Sequence, residues 1–382
     1  MTPLDRLVRR MIAQSGPMPV FRFMALALQH PEYGYYRQAA AIGRGGDFIT
    51  APEISQVFGE LVGLWAAEAW ERAGRPDPCI LCEAGPGRSA LMADALRAIR
   101  HVVPGFAAAA RLHLIESNAT LRAVQAKALA GAAPVWIERL DGLPEGPVFL
   151  VANEFLDALP ARQFVMTPDG WRERTVALSE LGSELGSESG SESGSESGSE
   201  AGRLVFAAGD NPADAVAASG LSLPAKAEPG AIGEIQPDAL AFVRDLARRL
   251  VAAGGAALLI DYGGNLPAGR STLRGIRGHR LVDPLDGAGE TDLSVDVDFA
   301  RLCEAAGTEG AAVLGPVGQA AFLRSLGIEA RRTALKASAS AEDAAIIDTA
   351  IDRLIDPAAM GTAFKAMAVT APSCAALPGF PP

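Results

Sequence analysis

The sequence predicts an α/β protein whose core is a seven-stranded, mostly parallel, doubly wound sheet, with a helical region before the sheet and a long insertion after its fourth strand. From Cys79 onward, short apolar runs alternate with stretches in which apolar residues recur at helical spacing. The chain has 382 residues, of which 49% are hydrophobic, so it can bury a core of ordinary globular size. This composition excludes a disordered protein and allows one elaborated domain or two.

Residues 1–75 are mostly helical in pattern. The apolar residues near Leu4 follow helical spacing with arginines on the other side, which indicates a helix of the folded protein rather than a secretory signal or a transit peptide. A Gly-rich loop, Gly43–Asp47, comes next, and a second helix is expected from about Ser55 to Arg72.

Seven apolar segments are the candidate strands of the sheet. They are Cys79–Glu83, Leu112–Glu116, Val135 with Ile137, Val148–Asn153, Ala256–Asp261, Ala311–Leu314 and Phe364–Thr370. Helical patterns lie between and after them, at Ala90–Arg100, Thr120–Leu129 and residues 238–253, 297–307, 317–326 and 341–355.

The insertion contains the run Ser179–Gly202, which repeats Ser, Glu and Gly. Such a run cannot offset its ordering entropy, so we expect a disordered loop, with a functional acidic segment as the alternative. The flanks Gln163–Val176 and Leu204–Ala207 could pair as strands. The chain thus divides into a helical region (1–75), the first part of the α/β domain (76–162), the insertion with its repeat (163–236, repeat 179–202), and the remainder of the α/β domain with helical additions (237–382).

Charge and cysteine content narrow the class of protein. The formal charge is −11, and six of the acids lie in the repeat, so a broad basic footprint for nucleic acid or anionic lipid is not expected. No apolar run approaches the ~18 residues of a membrane span, so membrane insertion is not expected either. Four cysteines are too few for a disulfide scaffold and fit a reducing compartment, which makes the cytoplasm the expected location.

Metal and thiol chemistry are not expected. Cys79 and Cys82 spell C-x-x-C, but residues three apart on a strand point to opposite faces, so they are expected to fill the core. The four histidines lack the spacing of a metal site.

The strongest local signal is Glu83-Ala84-Gly85-Pro86-Gly87-Arg88-Ser89-Ala90, which follows a strand and opens a helix. Gly85 and Gly87, on either side of Pro86, allow a tight turn and close approach of a ligand. The segment Gly85–Ala90 fits the dinucleotide fingerprint G-x-G-x-x-A, yet Glu83 would repel a pyrophosphate. S-adenosylmethionine carries a cationic amino group and a sulfonium instead, so this site favours that cofactor.

Further cofactor ligands are expected at the other strand ends. Glu116 could accept hydrogen bonds from ribose hydroxyls, or it could cap the next turn. Asp141 could reach the adenine amino group, or it could be only a turn former. Asn153 ends the fourth strand and is a further candidate ligand of the cofactor. Glu154 and Asp157 follow it and would face the transferred group, although a helix capped by Asn153 would explain these residue types equally well.

Several longer motifs resemble the MidA-like methyltransferases, a family that includes an arginine methyltransferase acting in mitochondrial complex I assembly. The resembling segments are Gly16–Met18, His30–Tyr36, Gly46–Leu61, Glu83–Gly87, Asn153–Pro160, Ile260–Gly263, Leu273–Leu285, Asp292–Phe299 and Gly315–Gly327. Two departures occur: the family usually has Thr-Ala-His where this chain has Ser294-Val295-Asp296, and Thr-Gln where it has Gly318-Gln319. No role can be carried over for that histidine.

The resemblance implies a class I S-adenosylmethionine-dependent methyltransferase. It implies that the turn at Glu83 holds the methionine end, that Glu116 holds the ribose, and that Gly46–Glu53 closes over the site. The implied acceptor is an arginine on a subunit of respiratory complex I.

Carboxylates must orient a guanidinium, and the candidates are Glu154 and Asp157, with Asp47 and Glu53 of the covering loop as second choices. Two alternatives stay open. One is a non-catalytic assembly factor that keeps the pocket, and the other is an NAD-dependent oxidoreductase.

Overall fold

The computed structural model describes residues 1–37, 50–179, 202–210, 223, 227–264, 269–374 and 376–381. The loop Gly43–Asp47 and residues 180–201 of the acidic repeat lie outside these ranges. The helices of the described residues, in chain order, are α1 (Pro3–Ser15), α2 (Val20–Gln29), α3 (Ala51–Ile54), α4 (Gln56–Arg72), α5 (Ala90–Val102), α6 (Pro104–Ala109), α7 (Ala119–Ala128), α8 (Pro237–Ala253), α9 (Phe299–Thr308), α10 (Gln319–Ser325), α11 (Ile328–Lys336), α12 (Ala341–Ile355) and α13 (Met360–Ala363).

The strands of the described residues form three sheets. They are β1 (Met18–Pro19), β2 (Cys79–Ala84), β3 (Ala110–Ile115), β4 (Val135–Ile137), β5 (Val148–Asn153), β6 (Arg162–Thr167), β7 (Gly170–Leu178), β8 (Leu204–Ala208), β9 (Ile232–Ile235), β10 (Gly255–Gly264), β11 (Arg274–Arg277), β12 (Arg280–Val282), β13 (Asp292–Ser294), β14 (Val297–Asp298), β15 (Ala312–Gly318) and β16 (Phe364–Thr370).

The central sheet has the strand order β15-β16-β10-β5-β2-β3-β4, with the short β14 beside β10. Strands β10, β5, β2, β3 and β4 are parallel to one another, whereas β16 runs antiparallel to both β10 and β15. Because β2, β3, β5 and β10 run in one direction, their carboxyl ends share one edge of the sheet.

Helices cover both faces of this sheet. One face packs under α4, α5 and α10–α13, and the other packs under α8 and α9. Strands β2 and β5 are buried along their whole length, which explains their unbroken apolar sequence. Helices α4 and α5 touch closely at Gly63, where a Cβ would lie 2.6 Å from the Ala95 Cα.

The cysteines lie in separate core clusters, as expected for a strand. Cys79 packs on one face of the sheet and Cys82 on the other. Burial raises the pKa of the Cys79 thiol to about 12, so this thiol stays protonated near neutral pH.

The insertion forms a second sheet with the amino-terminal region. Its order is β1-β7-β6-β9, and β8 pairs with β7. Antiparallel pairing of β7 with β8 brings Leu178 opposite Leu204, so the two flanks of the acidic repeat meet as a hairpin. The apolar faces of α1 and α2 pack against this sheet, so the amino-terminal helices and the insertion share one core.

The start of α1 is tied to a loop near the other end of the sequence. Thr2 and Asp5 form a capping box. The Asp5 carboxylate also accepts a hydrogen bond from the Ala288 N–H at 3.0 Å, and the Thr2 hydroxyl donates to the Ala288 carbonyl at 2.7 Å. That loop leads into β13, an edge strand of a small sheet with the order β12-β11-β13.

One helix differs from the sequence-based expectation. Helix α11 was not predicted, because its charged residues leave it only a weak apolar stripe; among its members only Ile328 is buried. No helix of the described ranges is long and apolar enough to cross a membrane.

Candidate functional site

A cleft opens at the carboxyl edge of the central sheet, where open α/β folds bind ligands. The space within it, including open solvent at its mouth, amounts to about 810 Å³. The lining comes from three parts of the chain: the amino-terminal region, the sheet edge and β13. The lining residues are Tyr36, Thr50, Pro52, Glu53, Glu83, Gly85, Pro86, Gly87, Arg88, Ala90, Leu91, Asn153, Glu154, Asp157, Asp292 and Ser294.

The glycine turn between β2 and α5 forms one wall of the cleft. Gly85 and Gly87 have φ values of +65° and +49°, in the left-handed region that favours glycine. A Cβ on Gly85 would lie 2.8 Å from the Cδ2 atom of Phe155. The need for glycine at this position thus arises from the neighbouring loop as well as from a ligand.

Two polar atoms at the cleft lack a partner among the described residues. Glu83 is only 3% exposed and its Oε2 accepts no hydrogen bond, while Asn153 leaves its Oδ1 unpaired. Burial raises the pKa of Glu83 to about 8. Unpaired buried acceptors are costly, and the N–H donors of a cationic amino group are of the kind that such acceptors require. These residues therefore fit the amino-acid end of S-adenosylmethionine.

Glu116 lies just beyond β3, half-buried, and is not among the residues that line the cleft. Its Oε1 accepts a hydrogen bond from the Asn118 N–H at 2.7 Å, so the turn-capping interaction is present. Burial raises the pKa of Glu116, and the hydrogen bonds from Asn118 and Gln125 oppose this effect. The same Asn118 donates through Nδ2 to the Tyr36 carbonyl, which brings the amino-terminal region beside Glu116.

Asp141 occupies an exposed turn, Leu140–Gly142, and also lies away from the cleft lining. Its carboxylate pairs with Arg139 at 3.6 Å in full solvent. The structure thus gathers eight of the eleven predicted site residues at the cleft and leaves Glu116 and Asp141 outside its lining; Asp47 lies outside the described residues.

The segment after β5 is not the capped helix that the residue types allowed. Glu154 has φ +50°, and the chain continues through bends and turns to β6. Asp261, in the carboxyl-terminal half of the adjacent β10, organises this segment. Its Oδ2 accepts the N–H groups of Phe155, Leu156 and Asp157 at 3.2, 2.8 and 3.3 Å. A helix was unnecessary because this carboxylate satisfies the backbone donors instead.

Asp261 is a residue that the sequence reasoning missed as a functional candidate. It is 1% exposed, and burial followed by the charge of Asp157 raises its pKa well above the ordinary value. Its position at the end of a predicted strand, on the same edge as Glu83, was the signal that could have identified it.

Glu154 and Asp157 both face the cleft, and their pKa values are raised. Glu154 Oε1 accepts hydrogen bonds from the Ala51 N–H at 3.1 Å and from Asn153 Nδ2 at 3.2 Å. Burial and then the nearby Asp157 raise the pKa of Glu154 to about 7. Burial raises that of Asp157 to about 6, and the charge of Arg274 opposes the shift. Glu154 therefore connects the sheet edge to α3, whose Glu53 also lines the cleft.

Tyr36 and Asp292 complete the acidic side of the cleft. The Tyr36 hydroxyl donates to Asp292 Oδ1 at 3.2 Å, and burial raises the Tyr36 pKa well above its ordinary value. Both residues lie inside motifs that support the family resemblance, yet no local pattern links positions so distant in sequence. Asp296, where the family usually has histidine, forms an ion pair with Arg274.

No group of three or more His, Cys, Asp or Glu side chains in the described part of the chain is arranged to hold a metal ion. The polar side chains that line the cleft are five carboxylates, the Tyr36 phenol, the Asn153 amide, the Arg88 guanidinium and the hydroxyls of Thr50 and Ser294.

Three comparisons agree on the kind of protein this is. Residues 61–317 match the model of a family of S-adenosyl-L-methionine-dependent methyltransferases. The chain is 34% identical over 96% of its length to the mitochondrial protein arginine methyltransferase NDUFAF7 of Danio rerio, of which it covers 86%. It is 32% identical over the same share to the human protein of that name, of which it covers 83%.

A solved structure shares the fold. A protein from Burkholderia thailandensis, crystallised with S-adenosylhomocysteine bound, superposes with a TM-score of 0.78 at 29% identity. The match covers 98% of this chain and 93% of that protein. The fold is thus that of an α/β methyltransferase, with a mixed sheet and flanking helices.

One expectation is overturned by the same comparisons. A cytoplasmic location was expected from the cysteine content, but the zebrafish and human relatives are mitochondrial proteins by name. The expectation was wrong because a low cysteine content indicates only a reducing environment, which more than one compartment provides.

One assignment follows from three observations. They are the family match, the 34% identity to a named methyltransferase over nearly the full length of the chain, and the acidic turn at Glu83. This chain belongs to the MidA-like family of S-adenosylmethionine-dependent methyltransferases.

Proposed function

We propose that this protein transfers a methyl group to an arginine side chain of a protein, and that the acceptor is a subunit of respiratory complex I whose assembly the modification supports. The observation that carries the proposal is that Glu154, Asp157 and Asp292 line the same cleft as the cofactor turn. A planar guanidinium is best oriented by paired carboxylates. Relatives at about one-third identity are named protein arginine methyltransferases.

On the cofactor side, Glu83 and Asn153 would bind the amino group, and the turn at Gly85, Pro86 and Gly87 would hold the methionine end. Glu116 is the proposed ribose ligand, and Asp141 is the proposed partner of the adenine amino group. S-adenosylmethionine, when bound, supplies an electrophilic methyl group on a sulfonium. Its cationic charge suits a cleft with five lining carboxylates.

On the acceptor side, Asp157 and Glu154 would hold the guanidinium through bidentate hydrogen bonds, with one nitrogen aligned at about 3 to 3.5 Å for displacement. Tyr36 keeps its proton and fixes the orientation of Asp292 by donating to it. The pKa of Glu154, about 7, suits it to accept the proton that the nitrogen loses as it is methylated. Glu53 and Asp47, on the covering segment, are second candidates for contact with the acceptor.

The test separates the proposal from its two alternatives. Isothermal titration with S-adenosylmethionine, S-adenosylhomocysteine and NAD is followed by a tritiated-methyl assay on candidate complex I subunits, with the modified residue located by mass spectrometry. We expect both sulfur ligands to bind, NAD to fail, and label to appear on arginine. Binding without transfer to any subunit would favour a non-catalytic assembly factor, and binding of NAD would favour an oxidoreductase.

A matched variant shows whether the acidic cluster performs the transfer. Asp157→Asn keeps the size of the side chain and removes its charge. We expect this variant to bind S-adenosylhomocysteine like the wild type and to lose transfer. Normal transfer would contradict the assignment of the acceptor side to this cluster.

A further inference from the structure

A buried amide connects the glycine turn to the carboxylate after β3. Gln125, on α7, is 0% exposed. Its Nε2 donates to the Gly87 carbonyl at 2.9 Å and to Glu116 Oε2 at 3.1 Å. The two hydrogens of one amide therefore reach two parts of the proposed cofactor site.

Trp136, on β4, determines which way this amide points. Its indole Nε1 lies 2.8 Å from Gln125 Oε1. Because an indole N–H can only donate, the amide oxygen must face Trp136 and the NH₂ group must face Gly87 and Glu116. The orientation of the Gln125 amide is thus set by the hydrogen-bonding capacity of the Trp136 indole.

Glu116 is held at both of its oxygens as a result. Asn118 N–H donates to Oε1 at 2.7 Å, and Gln125 donates to Oε2. The Arg122 guanidinium adds a hydrogen bond to the Glu116 carbonyl at 2.8 Å. Hydrogen bonds to an ionised carboxylate are among the stronger ones in proteins, so together they fix the direction of the carboxylate before a ligand arrives.

We propose that Gln125 is a positioning residue of the cofactor site: oriented by Trp136, it holds Glu116 in the direction that ribose hydroxyls require and joins this carboxylate to the glycine turn. The inference rests on the proposed function, because it takes Glu116 as the ribose ligand. Gln125 acts through Glu116 and Gly87 and is absent from the cleft lining.

The experiment compares Gln125→Met, which is nearly isosteric and lacks the donors, with Trp136→Phe, which leaves the amide free to rotate. We expect Gln125→Met to weaken S-adenosylhomocysteine binding by about tenfold to a hundredfold, the usual consequence of losing a hydrogen bond to a charged group. Trp136→Phe should weaken it by several-fold. The KM for S-adenosylmethionine should rise in parallel while kcat stays within about twofold, because no contact to the acceptor is lost.

A double-mutant cycle distinguishes positioning from general damage to the fold. In a Glu116→Gln background, Gln125→Met should cost less than about threefold, since the group it positions no longer carries its charge. Wild-type affinity in Gln125→Met, an equal loss in kcat, or full additivity with Glu116→Gln would each overturn the inference. If Gln125→Met does not fold, the affinity of Trp136→Phe decides, and an unchanged value overturns it. Failure of the wild type to bind either sulfur ligand would refute the proposed function instead.

Discussion

Glu154→Gln separates a catalytic role from a structural one, because the two roles predict opposite effects on stability. The glutamine retains an oxygen that can accept the Ala51 N–H, which lies 3.1 Å from Oε1 in the native protein. It removes only the negative charge. If Glu154 orients the guanidinium, methyl transfer should fall by about 100-fold or more, the loss typical when one preorganised electrostatic partner is removed.

The stability effect follows from the raised pKa of Glu154. A carboxyl whose pKa rises from 4.5 to about 7 on folding is held in its neutral form by the native state. The free energy of unfolding therefore falls as the pH rises from about 4.5 through 7, by up to about 3 kcal/mol for this group. Glutamine carries no charge to bury, so at pH 8 the variant should be as stable as the wild type or more stable.

The assay measures transfer rate, S-adenosylhomocysteine affinity and melting temperature between pH 5 and pH 8 on the same preparations. Glu68→Gln is the matched control, because Glu68 pairs with Arg72 on a partly exposed helix surface and is absent from the cleft lining. It should leave transfer unchanged. Normal transfer in Glu154→Gln, together with a lower melting temperature at pH 8, would refute the reasoning and make Glu154 only a connection to α3.

Four further predictions follow from the site and its supports. The pKa of Glu83 is about 8, and a cationic ligand requires its ionised form, so S-adenosylhomocysteine affinity should increase about tenfold for each unit by which the pH is raised toward 8. Calorimetry at pH 7 in two buffers should detect proton release on binding, which Glu83→Gln abolishes. Asp261→Asn replaces one of two acceptor oxygens with an NH₂ group, so either the Tyr262 N–H on Oδ1 or the N–H groups of the segment after β5 on Oδ2 lose their acceptor. This should lower the free energy of unfolding by about 1 to 3 kcal/mol in urea titrations, whereas an unchanged midpoint would argue against its supporting role. Gly85→Val should abolish ligand binding in calorimetry and also lower the melting temperature, since its Cβ would meet Phe155 at 2.8 Å, so a fully stable variant would contradict the geometry. Replacing 180–201 with a short turn should change stability by less than about 1 kcal/mol in thermal denaturation, because Ser179 N–H already donates to the Arg203 carbonyl at 2.8 Å; a large drop would show that the repeat is packed.

The centre of the sheet could be predicted from the sequence because β2, β5 and most of β10 are buried on both faces. Strand β5, Val148–Asn153, was predicted with its observed bounds, since a fully buried strand needs apolar residues throughout. The position of Glu83 at a strand end followed from the same pattern. Local chemistry thus specified the cofactor turn.

The supports of the site could not be predicted, because they depend on contacts distant in sequence. Asn153 and Glu154 are typical of a helix start, yet Asp261, more than a hundred residues later, takes the backbone donors that a helix would have used. Gln125 fell inside a predicted helix, but nothing in its neighbours indicated that it would be buried against Gly87. Tyr36 and Asp292 meet across 256 positions. Tertiary structure decided each of these cases.

The attachment of α1 to the Ala288 loop has a consequence for the timing of biosynthesis. The hydrogen bonds that join Ala288 to Thr2 and Asp5 span 286 and 283 positions, so the start of α1 cannot take its native place until Ala288 has also been synthesised. The same loop leads to Asp292, which contacts Tyr36 across the cleft. Closing such long loops is slow relative to forming local helices. A nascent chain that stops before β13 would thus contain the glycine turn but lack Asp292 and Ser294 of the cleft lining, so competence for methyl transfer should arise late in synthesis.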